Sequence, residues 1–165
     1  MKGSRTLRHL IAPHWLARRA FPRATLRAIE DAVAASEGLH AGELRFVVEA
    51  GLPFGDLWRD VSPRERAREL FSRLRVWDTE RNGGVLVYVQ LVDRRVEIVA
   101  DRGIAAKVPQ SEWDAICRGM EQAFGSGDYR RGALEAIARL SRLLVLHQPS
   151  RPDDRNELSD RPLLL

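Results

Sequence analysis

Cysteine occurs once in 165 residues, as Cys117. No disulfide can form within the chain, and a CxxC metal knuckle is impossible. Such usage fits a reducing compartment. No apolar run approaches the ~20 residues needed to cross a bilayer, and the N-terminus lacks the continuous apolar core of a secretory signal. These absences predict a cytoplasmic protein, at most peripheral to the inner membrane. The GxSxG, GxxxxGK[ST], HExxH and GxGxxG patterns are all missing, which removes the familiar hydrolase, P-loop, zincin and dinucleotide-binding signatures. His9, His14, His40 and His147 are scattered, and none has a second histidine or a cysteine three or four residues on. Acidic residues are absent from positions 1 to 27, which carry seven bases; the other 138 residues hold 20 bases and 23 acids. The body is therefore mildly acidic, and no nucleic-acid partner is expected.

The sequence divides into a basic N-terminal segment (1–21), a folded domain (22–147) and an extended or disordered tail (148–165) rich in Pro, Asp and Arg. In the first segment Leu7, Leu10, Ile11 and Trp15 recur at helical spacing among arginines, with a break near Pro13. That pattern fits a helix lying on an anionic membrane or holding a membrane-protein partner; the alternative is a helix packed on the domain with its arginines in water. In the domain, Leu26, Ile29 and Val33 predict a helix between Pro22 and Gly38, and 43–50 alternates as a strand whose polar side suggests a sheet edge. Ser62-Pro63-Arg64-Glu65 is a capping box with proline at the first helical position. Val85–Val92 is an apolar run of a strand buried on both faces, and 95–100 alternates as a partly covered one. Only Asp93 and Arg94 separate them, which predicts a two-residue hairpin with Leu86 opposite Asp101 and Val85 opposite Arg102. Two further helices follow, one capped by Ser111 with Trp113, Ile116, Met120 and Phe124 on one side, the other over 129–146. Cys117 joins the first of these stripes as a packed thiol.

This order gives a helical crossover between parallel strands and then a hairpin. The fold class is α/β, a three-layer α/β/α sandwich with a small mixed β-sheet. It brings Glu43, Asp78, Glu80, Asn82, Asp101 and Arg102 to one sheet end, with His40 near. Four carboxylates and an amide oxygen are the hard-oxygen set that Ca²⁺ or Mg²⁺ prefers, so Glu43, Asp78, Glu80, Asn82 and Asp101 are the candidate metal ligands. Asp78, Asp101 and Arg102 are the candidate catalytic residues of a phosphate-ester hydrolase, the arginine holding phosphate. No organic cofactor is expected. The structural alternative is that Asp78 and Thr79 cap turns, Gly83 and Gly84 serve a tight bend, and Asp101 pairs with Arg102 or Arg81.

The segments AIEDAVAASE, GEL, WDTERNGGVLVYV, VEIVADRGI, the Trp113 helix, GSGDYRRG and NELSD together resemble the TPM domain family, over about residues 22 to 161. The likeness is strongest to its short bacterial members, which are often found with a second TPM protein and a LemA-like protein as partners. It implies an α/β/α sandwich. For function it implies either calcium binding with acid phosphatase activity, or an auxiliary role in membrane-protein complexes. Gly83 stands where the family commonly has a second asparagine.

Overall fold

The computed structural model describes residues 2–12 and 15–165, with the side chains of residues 2–4 left aside. The predicted break at Pro13, and His14 with it, lies outside the described residues. The elements run α1 (Lys2–Leu10), α2 (Trp15–Ala20), α3 (Arg23–Glu37), β1 (Glu43–Glu49), α4 (Phe54–Trp58), α5 (Pro63–Arg73), β2 (Gly84–Gln90), β3 (Arg95–Ala100), α6 (Arg102–Ala105), α7 (Gln110–Gly125), α8 (Tyr129–His147) and β4 (Leu163–Leu164). They build one mixed sheet in the order β3-β2-β1-β4, with β1 parallel to β2 and β4, and β3 antiparallel to β2.

Side-chain alternation along the strands divides the core in two. Leu44, Phe46, Val48, Val85, Val87, Val89, Val96 and Ile98 face α3, α7 and α8, where Ile29, Val33, Trp113, Ile116, Met120 and Leu140 close the larger core. Val47, Leu86, Tyr88 and Val99 face α5, meeting Ala67 and Leu70. Helices cover both faces, as the continuous apolar run of β2 requires.

α5 starts as its sequence predicts: the Ser62 hydroxyl accepts from the Glu65 amide at 3.2 Å, and the Glu65 carboxylate accepts from the Ser62 amide at 2.8 Å. The hairpin differs from expectation. Val85 lies opposite Ala100 and Gln90 opposite Arg95, so the turn spans Leu91–Arg94 with Arg94 at φ 53°. A two-residue loop would need a pair that tolerates the left-handed region at both positions, and Asp-Arg lacks the glycine. The register therefore slides by two, which keeps every side chain on its expected face but sets Asp101 beside Gly84, its amide donating to the Gly84 carbonyl at 2.8 Å. α7 also opens earlier, at Gln110 after Pro109, rather than from a Ser111 cap.

β1 is not the sheet edge. Its polar side chains each have a dedicated partner, as described below, and β4 covers its free side. β4 belongs to the terminal segment, which runs back along the body and adds Leu158, Leu163 and Leu165 to the smaller core.

Candidate functional site

Because β1 and β2 are parallel and in register from Glu43↔Gly84 to Glu49↔Gln90, the sheet has two distinct ends. The predicted polar cluster falls at the end where β1 and β2 begin. Glu43, 4% exposed, accepts from the amides of Glu157 and Leu158, each at 3.1 Å. Burial raises its pKa against the pull of those two amides. Asp101 caps α6, one carboxylate oxygen accepting from the Arg102 amide at 2.7 Å, while its Oδ2 is buried without a partner. Asn82, at φ 51°, accepts from Arg102 Nε at 3.3 Å, and its carbonyl accepts from the Gly103 amide at 3.0 Å. Glu80 is exposed and takes part through its amide, which donates to the Glu157 carboxylate at 3.1 and 3.2 Å. Asp78 is exposed and pairs with Arg75 at 3.3 Å.

The loop is a tight piece of backbone. Thr79 Oγ1 accepts from the Gly83 amide at 3.0 Å, as a turn-capping role predicts. A Cβ on Gly84 would lie 1.8 Å from the Val76 carbonyl oxygen, so only glycine fits there. A Cβ on Gly83 would lie 2.1 Å from Gln148 Oε1. The Gln148 side chain thus lies against the position where asparagine is common in the resembling family, its amide donating to the Arg81 carbonyl at 3.4 Å. His40 is buried nearby, with Nδ1 2.9 Å from the Gly42 carbonyl and burial holding its pKa down.

As placed, these residues do not form a cation cage. Glu43 is engaged by amides, Asn82 Oδ1 by a guanidinium and Asp78 by Arg75. Among the described residues no three His, Cys, Asp or Glu side chains are placed to hold one metal ion. Three acceptor-capable atoms near this loop do lack partners: Asp101 Oδ2, Gln148 Oε1 and His40 Nε2. The terminal segment supplies what sequence reading missed. Glu37 Oε1 accepts from the Leu44 amide and Oε2 from Asn156, which also donates to Asp160, and Arg45 reaches the carbonyls of Ser159 and Arg161 at 2.5 and 2.8 Å. Burial, with Glu43 and Asp160 close by, pushes the Glu37 carboxyl up to about 9.

The opposite end carries a buried ionic network. Arg66 of α5, 4% exposed, forks onto Glu49 at 2.6 and 3.1 Å and also pairs with Asp56 at 3.2 Å and Glu69 at 3.1 Å. The Tyr88 hydroxyl donates to Glu49 at 2.5 Å. Beside it, Asp93 receives Arg5 Nη2 at 2.8 Å and His9 Nε2 at 3.0 Å. The Leu52 amide donates to His9 Nδ1 at 3.0 Å, which leaves Nε2 as the protonated nitrogen of the neutral ring. Burial opposes ionisation of Asp93, but the Arg5 and His9 donors outweigh it and hold the carboxyl below its ordinary range.

Those contacts orient α1 against expectation. The alternative read from the sequence had α1 packed with its arginines in water. α1 does pack on the domain, but Arg5 and His9 turn inward, while Leu7, Leu10 and Ile11 stay 58%, 52% and 68% exposed. Trp15 on α2, 56% exposed, lies under Arg19 with the guanidinium 6.0 Å from its ring. Neighbouring α4 adds Phe54 and Trp58, at 61% and 82%. Apolar side chains therefore point out from the end where α/β sheets usually bind ligands. None of the described helices is long and apolar enough to cross a membrane.

A family profile described as "TPM domain" matches residues 18–143. Among solved structures, the chain is similar to the BA42 protein of the psychrophilic bacterium Bizionia argentinensis, with 26% identity, a TM-score of 0.76, and coverage of 86% of this chain and 93% of that one. It shares its fold with the N-terminal domain of a P. gingivalis protein, at 21% identity and a TM-score of 0.62, over 85% and 94% of the two chains. No curated protein matches.

Proposed function

The chain belongs to the TPM domain family, and from that premise we propose that it is a non-catalytic adaptor that sits on an anionic membrane surface through α1, α2 and α4. The reading rests on the inverted docking of α1. Arg5 and His9 are committed to Asp93, so the helix is fixed with Leu7, Leu10 and Ile11 outward. A soluble surface scatters such residues singly; here five large apolar side chains, Leu7, Leu10, Ile11, Phe54 and Trp58, fall on the α1 segment and the adjoining α4. Arg8 supplies positive charge beside them, and Arg19 beside Trp15, each worth about 1 kcal/mol near an anionic surface. Aromatic side chains at such a rim suit the headgroup layer.

Co-sedimentation with phosphatidylglycerol–phosphatidylcholine vesicles tests it. The full chain is expected to pellet with anionic and not with neutral vesicles, and the Ile11→Ser/Trp58→Ser variant to bind at least tenfold more weakly. Equal binding by that variant would remove the reading.

A second reading is divalent-cation-dependent hydrolysis of a phosphomonoester at the polar corner, with Asp78, Asp101 and Arg102 as the working residues. The unpartnered Asp101 Oδ2 favours it. In this reading a cation drawing on Glu43 competes with the amides of Glu157 and Leu158. Titration with Ca²⁺ or Mg²⁺ would then shift those two amide resonances, and phosphomonoester turnover would fall in Asp101→Asn. Unmoved resonances and no turnover would exclude it.

A further inference from the structure

β4 leaves one edge of the sheet open. Leu165 spends both of its backbone groups on β1, donating to the Val48 carbonyl at 2.9 Å and accepting from the Ala50 amide at 3.2 Å. Backbone groups alternate in direction along a strand. The amide and carbonyl of Leu164, and the carbonyl of Pro162, therefore point off the edge. They open onto a groove of about 790 Å³ between α3 and the terminal segment. Its wall carries Arg18, Arg23, Arg27, Arg45 and Arg161 against one acid, Glu30. Arg45 is tied to the carbonyls of Ser159 and Arg161. No hydrogen bond or ion pair engages the side chains of the other four among the described residues, in contrast with Arg66 and Arg5 elsewhere.

Guanidiniums gathered at one groove repel one another and favour an anionic occupant. The open backbone groups specify its shape: two acceptors and one donor ask for two N–H groups and one carbonyl, which an extended chain offers and a bare anion does not. We propose that the groove accepts an acidic segment of a partner polypeptide, added as a fifth strand along β4, with its carboxylates on Arg18, Arg23 and Arg27. In antiparallel approach one residue of that segment exchanges both bonds with Leu164, and a second amide reaches the Pro162 carbonyl. Alternating acids place their carboxylates on one side of the added strand, toward α3. Two-residue β4 offers too few bonds to select a partner alone, so charge supplies most of the affinity. This surface is separate from the apolar one on α1 and α4 and does not depend on it.

The test uses the full chain and a fluorescent decapeptide of alternating glutamate and valine at low salt, read by anisotropy and by amide resonances. Expected are saturable binding, a loss of at least tenfold with Arg23→Gln/Arg27→Gln, a similar loss for the glutamine–valine peptide, and a downfield shift with slowed exchange at the Leu164 amide. Binding that leaves the Leu164 amide unmoved would overturn the strand geometry. Equal binding by the double variant, displacement by equimolar inorganic phosphate or phosphatidylglycerol vesicles, or no binding would overturn the site.

Discussion

The two ends of the parallel pair β1–β2 are held by different physics. Where the strands end, Glu49, Arg66, Asp56 and Tyr88 form a dry ionic knot, and Asp93 fastens α1 beside it through the Arg5 guanidinium and the neutral His9 ring. Where they begin, contact is backbone against backbone: Gly84 under the Val76 carbonyl, Gly103 against the carbonyls of Arg81 and Asn82, and a terminal segment hung on carboxylates by its amides. The first end concentrates its cost in one buried charge set. The second distributes it over close approaches that tolerate no added atom. Strand topology drew attention to the second end, while the large exposed apolar side chains Leu7, Leu10, Ile11, Phe54 and Trp58 lie at the first.

The contrast breaks most visibly at Arg66. Truncating it leaves buried Glu49 without its guanidinium, with only the Tyr88 hydroxyl, while Asp56 keeps Arg59 at 2.6 Å, and removing one partner of a buried pair costs about 3–5 kcal/mol. Arg66→Leu is expected to lower the unfolding free energy measured by denaturant titration by that much, while Arg131→Leu, whose exposed pairs with Asp128 and Glu135 lie at the start of α8, changes little. Equal effects would mean the knot is not dry. At the other end Gly84→Ala is expected to cost up to about 3 kcal/mol, the upper range for overpacking, because the obstructing atom is a backbone oxygen that cannot swing away. Thermal unfolding measures it; a neutral result would show the Val76 turn to be pliable.

How far each end was legible follows from the distance between partners. Strand faces were readable because alternation is local, and they survive the hairpin's two-residue slide because an even shift preserves parity. The capping box of α5 was readable for the same reason. The terminal segment was not: its anchors Glu37, Glu43 and Arg45 lie over a hundred residues away, and its own composition signals only polarity. The Arg66 knot was missed because an arginine on an amphipathic helix reads as solvated. A signal existed in Tyr88 and Gln90, polar groups inside a run read as buried on both faces, which must find partners somewhere. At the polar corner, topology brought Glu43, Asn82 and Asp101 to one end as expected. What it could not reveal is that local bonds engage Asn82 and Asp78, or that amides from the distant tail engage Glu43.

The two ends also carry opposite pH signatures. Asp93 is held below its ordinary pKa, so its contribution is present above the ordinary carboxyl value and is lost as pH falls through the folded value. Glu37 is raised from 4.5 to about 9, so the folded chain keeps a proton that the unfolded chain releases. Its contribution is complete below about pH 4.5 and is lost as pH climbs toward 9. Acid should therefore loosen α1 while alkali loosens the terminal segment. Amide protection factors, which remove the intrinsic pH dependence of exchange, separate the two. Protection at Leu52, whose amide binds His9, should fall at low pH, and Asp93→Asn should flatten that arm at a cost of about 1.5–3 kcal/mol for its charged hydrogen bonds. Protection at Glu157 and Leu158 should fall only several-fold between pH 6 and 9, the smallest of these effects, since only local opening is involved. Glu37→Gln should abolish that slope while leaving the acid arm intact. A slope that persists in the variant would assign the alkaline loosening to Glu43, whose buried carboxyl receives those two amides directly.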